Sequence, residues 1–212
     1  MPRDRFLQRK TAVLSKLDKS SIGEWDKKMK KLCEKINSLE DFYTTSSCSG
    51  RVILMVQQEK KGKDLFLKIW HEKISFNELK RELNNLIDKK IVLSKKISLG
   101  LSVKSRVDRL TISGKIIKFK LEPPIIHIAC RELKNATEML EKAKYVGFKR
   151  SSILTFDRNI VLELNTSERL EFPIIKDSKI LVDDKFLKLI VEMSHQKLEG
   201  GWNKIQKLEK YF

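Results

Sequence analysis

The sequence predicts an α+β fold: a single domain over residues 1–212 in which one mixed β-sheet is flanked by helices. Three observations carry this. Apolar residues recur at helical spacing in several segments, as in Trp25, Met29, Leu32, Cys33 and Ile36. Short β-branched runs, as at 52–56 and 125–130, are bounded by turn residues. The two kinds of segment are interspersed without a regular strand-helix alternation. No G-x-G-x-x-G follows a predicted strand, so a Rossmann-type site is not expected. With 41% hydrophobic residues in 212, the chain can bury a sizeable core.

A first helix is expected over residues 3–18. The second follows Ser21, which with Glu24 makes a capping box, the hydroxyl serving the helix start while the carboxylate reaches back. Cys33 falls on its apolar stripe and is expected in the core. Residues 52–56 read as a buried strand and 65–70 as its hairpin partner across a polar turn at Gly62. Ser75 and Glu78 offer another capping box, ahead of an amphipathic helix marked by Phe76, Leu79, Leu83, Leu86 and Ile87. The Ser-, Gly- and Lys-rich stretch 93–109 is either a loop or contains a short strand. Residues 111–117 and 119–121 read as a strand or hairpin around Gly114, and 125–130 as a buried strand after Pro123-Pro124. Leu133, Ala136, Met139, Leu140, Ala143 and Val146 mark a helix that ends at Gly147, a residue suited to the left-handed backbone of a helix C-terminus. Residues 151–156 and 159–164 are two more strands and 169–182 a hairpin. A last helix starts near Asp183, carries Phe186, Leu189, Ile190 and Met193, and is expected to break at Gly200-Gly201. His195, on that helix, has no motif around it and reads as structural.

Lys and Arg number 45 against 28 Asp and Glu, a formal net charge of +17. Lysines spread over every helix favour an extended field that attracts a polyanion over one narrow ligand pocket. Nucleic acid is the leading partner, with a surface made basic for solubility as the alternative. No apolar run approaches the roughly 20 residues that span a bilayer, and MPRDRFLQRK lacks the apolar core of a signal peptide. A soluble, cytoplasmic protein without membrane association is expected, and no protein partner is implied. Cys33, Cys48 and Cys130 are odd in number and show neither CxxC nor paired Cys/His spacing, so neither a disulfide framework nor a metal site is expected.

The segment YTTSSCSGR, residues 43–51, packs short hydroxyl side chains around one thiol between a helix and a buried strand. Backbone N–H groups, hydroxyls and Gly50 in such a place can gather around an anion or polar ligand. Arg51 adds a planar donor fork for a phosphate or carboxylate. The competing reading is a turn whose Ser and Thr side chains satisfy their own backbone. Cys48 as a nucleophile would need a base nearby, and the nearest histidine in sequence is His71, so a wall of a pocket is the better reading of the thiol.

YTTSSCSGR resembles the signature of the wybutosine-synthesis methyltransferase family. These archaeal and eukaryotic enzymes methylate N4 of the tricyclic guanine derivative at position 37 of tRNA(Phe). The resemblance covers nearly the whole chain. Residues 20–26 and Ile36-Asn37 precede the signature in the family's order. Behind it come Glu122-Pro123-Pro124-Ile125-Ile126-His127 with Arg131, then Gly147-Phe148-Lys149-Arg150-Ser151-Ser152. Two departures stand out. The family's tryptophan and histidine after the first strand appear here as the adjacent pair Trp70-His71, and Lys149 precedes Arg150 where the family usually has arginine directly after Gly-Phe.

The resemblance implies a tRNA methyltransferase that uses S-adenosylmethionine and acts on the anticodon loop of tRNA(Phe), but not one of the Rossmann type. Its substrate would be the 7-(3-amino-3-carboxypropyl)-4-demethylwyosine at position 37. A non-catalytic basic RNA-binding module is the alternative. Attack by a ring nitrogen on a sulfonium methyl needs no protein nucleophile; the protein aligns the reactants and helps remove a proton. Thr45, Ser46, Ser47, Ser49 and Gly50 would then line the donor pocket, their small size letting a flat ligand approach the backbone. Asp26 and His127 are the two candidates for the proton acceptor, and the sequence does not rank them. Arg51, Arg131 and Arg150 would contact phosphates or the substrate's carboxylate. Trp70 would stack on the base, if it is not simply core.

Overall fold

The computed structural model describes residues 4–16, 26–57, 66–98, 115–157 and 159–212. The chain forms two compact units: unit 1 is Met1–Gly50, Pro123–Glu168 and Glu199–Phe212, and unit 2 is Arg51–Glu122 and Arg169–Leu198.

Unit 1 is built on helices α1 (Arg5–Leu14), α2 (Lys27–Ser38) and α4 (Leu133–Tyr145), and on strands β1 (Phe42–Cys48), β5 (Ile125–Cys130), β6 (Ser152–Thr155) and β7 (Ile160–Asn165). The strands form one antiparallel sheet in the order β1-β5-β7-β6. One face is apolar: Ile126, Ile128 and Cys130 of β5, with Leu162 and Leu164 of β7, bury against Met29, Leu32, Cys33 and Ile36 of α2. Ala136, Met139 and Ala143 of α4 and Phe148 complete this core, together with Ile205 and Leu208. At about 1.5–3 kcal/mol for each large side chain removed from water, this face is the main attractive term holding unit 1 together. It also fixes the register, because a slip by one residue would turn His127 and Glu163 inward.

Unit 2 carries β2 (Arg51–Val56), β3 (Phe66–Trp70), α3 (Phe76–Ser98), β4 (Ile117–Glu122), β8 (Leu170–Lys176) and β9 (Lys179–Ile180). Its sheet is antiparallel in the order β3-β2-β4-β8-β9. The last helix, α5 (Asp184–Glu209), gives residues up to Leu198 to unit 2 and the remainder to unit 1. Phe119, Phe172 and Phe186 chain together at 5.2 and 5.6 Å between ring centroids and tie β4 and β8 to the start of α5. The tight turn between β8 and β9 runs through Asp177 and Ser178, both at positive φ (49° and 64°), as a two-residue hairpin of matching twist requires. None of the described helices is long and apolar enough to cross a membrane.

The α+β class holds, but two antiparallel sheets stand where one mixed sheet was expected. Alternation of apolar residues marks a strand without saying which strand it pairs with or in which direction. Residues 119–121 belong to one strand with Ile117. The helix from Phe76 runs on to Ser98 through the start of the stretch left open above. Gly200-Gly201 does not break α5, which passes straight through it. A Cβ on Gly201 would lie 2.7 Å from Cγ of Pro124, so this glycine serves close packing and not chain reversal. The Ser21/Glu24 box, Trp25, the Gly62 turn and residues 99–114 lie outside the described residues, as do Arg3 and Asp18.

Candidate functional site

The signature segment is not a loop. Residues 44–48 lie in β1, a strand with a bulge, and the chain turns at Ser49-Gly50, where Gly50 has φ 103°. Hydroxyl-rich residues adopt a strand here because β5 supplies ladder partners on both sides of the bulge. The bulge decides which hydroxyls face which way. Thr44 pairs with Ile128 and Ser46 with His127, so Thr45 is the extra residue, and its hydroxyl contacts the His127 carbonyl at 3.4 Å. Thr44 turns toward α2, where Asn37 Oδ1 accepts from its backbone N–H at 2.7 Å and from its hydroxyl at 3.1 Å. Ser47 shares that side, its hydroxyl bonding to the Cys33 thiol. Ser46 points to the opposite, exposed face.

On that face a row of polar side chains crosses three strands. Ser46 Oγ lies 2.7 Å from His127 Nδ1, and His127 Nε2 lies 3.0 Å from Glu163 Oε2. The His127 and Glu163 side chains are 27% and 23% exposed, enough for a ligand to reach them. Asn165 Nδ2 donates to the other Glu163 oxygen at 3.4 Å. At the same end of the sheet the Asn165 amide oxygen and the Ser49 hydroxyl are buried and have no hydrogen-bond partner among the described residues. Asn165 is 5% and Ser49 1% exposed. Leaving such an atom unsatisfied costs about 1–3 kcal/mol.

Asp26 caps α2, taking the Lys28 N–H on Oδ1 at 3.1 Å, while Oδ2 takes the Ser49 N–H at 2.7 Å. Each oxygen thus accepts from a backbone group, and Asp26 clamps the Ser49-Gly50 turn to the start of α2. From the other side, the Trp202 indole N–H donates to the Ser49 carbonyl at 3.1 Å, with Lys28 Nζ 4.3 Å from the Trp202 ring centroid. The turn is thus held through both backbone groups of Ser49.

The expected substrate-binding residues fare differently. Arg131 is engaged by three carboxylates: Asp41 at 2.6 Å, Glu40 at 3.4 Å and Asp4, the N-cap of α1. Its hydrogen bond to Asp4 comes first among the causes that raise the guanidinium above its ordinary value, and the same bond holds the Asp4 carboxyl down. In unit 2, Arg51 is paired with Glu122 through Nε and Nη2, each at 2.7 Å. Burial alone would raise the Glu122 carboxyl, but Lys120 and Arg51 together outweigh it and lower it. Trp70 is 8% exposed with its N–H donated to Glu78 at 2.7 Å, so it packs in the core of unit 2 and offers no open ring face. Arg150 is exposed, at the end of the Gly147 turn. His195 Nε2 meets the Ile74 carbonyl at 2.7 Å, the structural role expected of it. No disulfide joins the cysteines; burial pushes the Cys33 thiol up to about 11 and the Cys130 thiol to about 12.

Sequence reasoning missed Glu163, Asn165 and Trp202. The available signal was slight: Glu163 is a lone carboxylate inside the apolar run Ile160–Asn165, and only the pairing register aligns it with His127.

Residues 8–212 match the family model described as Methyltransferase TYW3. A protein of Methanocaldococcus jannaschii is 33% identical over 92% of this chain and 90% of its own length. It is named tRNA(Phe) 7-((3-amino-3-carboxypropyl)-4-demethylwyosine(37)-N(4))-methyltransferase. One of Archaeoglobus fulgidus with the same name is 33% identical over 84% of this chain and 78% of its own. Among solved structures, the PH1069 protein of Pyrococcus horikoshii aligns with a TM-score of 0.76 and 27% identity, covering 97% of this chain and 92% of that one.

Proposed function

The chain belongs to the TYW3 methyltransferase family, and from that premise we propose that it methylates N4 of 7-(3-amino-3-carboxypropyl)-4-demethylwyosine at position 37 of tRNA(Phe). The donor is S-adenosylmethionine, the contact region is the anticodon loop, the setting is the cytoplasm, and residues 1–212 act as one functional domain. The observation that carries the chemistry is the contact between Ser46 and His127 on an exposed sheet face.

The donor fits the residues present. The Ser49 hydroxyl and Asn165 amide oxygen, without partners among the described residues, can accept from its ammonium or ribose hydroxyls. When bound, S-adenosylmethionine supplies a sulfonium-activated methyl carbon: the ring-nitrogen lone pair forms the N–C bond as the C–S pair departs with sulfur. The chain handles the proton. Ser46 oxygen takes it from the ring nitrogen as its own proton passes to His127 Nδ1, so His127 is the acceptor and Asp26 positions the donor turn. Thr45 and Ser47 shape the strand, through the bulge and the α2 contact. Of the expected substrate-binding residues, Arg150 remains as a contact for phosphate or the substrate carboxylate. Arg51, Arg131 and Trp70 instead hold their own units together.

The test is transfer of labelled methyl to tRNA(Phe) bearing the demethylated precursor, with unmodified transcript as control. Label is expected in the precursor tRNA alone. A basic module without catalysis would bind both RNAs, show no affinity for the donor in calorimetry and leave both unlabelled.

A further inference from the structure

In the antiparallel ladder Ser46 stands opposite His127 and His127 opposite Glu163, so that three side chains on three adjacent strands form one line across the sheet. The contacts are 2.7 Å from Ser46 Oγ to His127 Nδ1 and 3.0 Å from His127 Nε2 to Glu163 Oε2. We infer that Glu163 is a positioning residue for methyl transfer: it holds His127 in the tautomer that carries its proton on Nε2 and leaves Nδ1 free to accept. This rests on the functional reading above.

The argument is one of hydrogen-bond inventory. A carboxylate only accepts, so the nitrogen facing it must donate. A neutral imidazole has one N–H, and placing it on Nε2 obliges Nδ1 to accept. The Ser46 hydroxyl then gives its hydrogen to Nδ1 and turns its lone pairs outward, where a substrate proton can arrive. In the opposite tautomer Nδ1–H would point at the serine oxygen, and no nitrogen lone pair would stand behind the hydroxyl to take its proton. The protons balance. One leaves the ring nitrogen for Ser46 oxygen, one passes from Ser46 to Nδ1, and the imidazolium lies beside the Glu163 carboxylate until it releases a proton to water. Asn165, bonded to the other Glu163 oxygen, fixes the carboxylate in place. An ordinary cross-strand pair would contribute stability of about 0.2–1 kcal/mol and nothing more, which is the reading to be separated.

The experiment uses the full chain labelled with ¹⁵N-histidine. In the wild type, long-range ¹⁵N–¹H correlation is expected to show the neutral His127 ring protonated on Nε2. A ring protonated on Nδ1 overturns the inference without any variant. In E163Q the amide can donate to Nε2, and the tautomer is expected to invert or mix. Single-turnover methyl transfer at saturating donor and precursor tRNA should fall about a hundredfold or more, in the range for lost acid–base assistance. Binding of both should stay within severalfold of wild type, and E163D should recover part of the rate. An unchanged tautomer in E163Q, or a changed tautomer with an unchanged rate, overturns the inference. A wild-type chain that transfers no methyl overturns the functional reading and the catalytic part of this one, while the hold of Glu163 on the ring is still decided by the spectra.

Discussion

Asp26 and His127 both stood as candidate proton acceptors, and their surroundings separate them. The Asp26 oxygens are occupied by the N–H groups of Lys28 and Ser49, whereas His127 Nδ1 faces a hydroxyl on an exposed surface. Asp26→Asn turns an amide NH₂ toward one of those N–H groups. The amide oxygen can still cap α2 through Lys28, so the loss falls on the Ser49 N–H. The substitution is expected to cost about 1–3 kcal/mol of stability in urea, as for one unsatisfied N–H, and to weaken donor binding in calorimetry. His127→Ala is expected to bind donor and tRNA within severalfold of wild type and to lose about 10²- to 10⁴-fold in single-turnover rate. The reverse pattern, with Asp26→Asn binding normally and failing in rate, would return the acceptor role to Asp26. The same scale explains why two of the arginines expected as ligands serve the fold instead. Arg51 and Arg131 are exposed by composition but engaged by carboxylates brought from far along the sequence.

Glycine marks two helix features that look alike in sequence and differ in space. Gly147 ends α4 at φ 111°, a conformation a side chain rarely adopts, and the periodicity before it was enough to foresee the stop. Gly201 lies inside α5 against the Pro124 ring. Gly201→Ala gains up to about 1 kcal/mol in helix propensity but forces a methyl into 2.7 Å of packed ring carbon. Overpacking of this kind costs about 1–3 kcal/mol, so a net loss of stability is expected in urea unfolding. Gly200→Ala, whose nearest neighbour is a side-chain oxygen at 3.8 Å, serves as control and should be neutral or stabilising. Equal effects of the two substitutions would leave helix propensity as the only term. Elements of this sort were legible in the sequence where their cause is local: Ser75 does cap α3 through the Glu78 N–H, and the strands after Arg51 and Pro124 form as read. What was not legible depends on pairing. The β1 bulge that sends Thr44 and Ser46 to opposite faces, and the register that lines up Glu163 with His127, arise only when strands distant in sequence meet.

Across the whole molecule, the charge of +17 at pH 7 makes a field suited to RNA and also a compact state that repels itself. The carboxylates are what moderate that repulsion, and several are held by cations. In Glu168, burial raises the carboxyl, but the Lys204 ammonium bonded to it pulls the other way, and the carboxyl ends below the ordinary 4.5. Glu122, between Arg51 and Lys120, is lowered in the same way. A group whose folded value lies below its unfolded value contributes its full stabilisation above the unfolded value and loses it as pH falls through the folded one. The urea midpoint is therefore expected to vary little between pH 7 and 5.5 and to drop below about 4.5, where general repulsion grows in the same direction. Glu168→Gln separates the two causes. Glutamine does not titrate and resembles the protonated acid, so the variant should be less stable than wild type at pH 7 while its midpoint falls less steeply with acid. The two curves should converge once pH falls below the lowered Glu168 value, because both chains then place an uncharged group beside Lys204. In high salt the part due to general repulsion should shrink in both, while the gap between them at pH 7 largely persists, since Glu168 is only 13% exposed and poorly screened. Curves that remain parallel from pH 7 to pH 3 would mean that the Glu168–Lys204 pair carries none of the acid sensitivity, and that repulsion among the surface cations accounts for all of it.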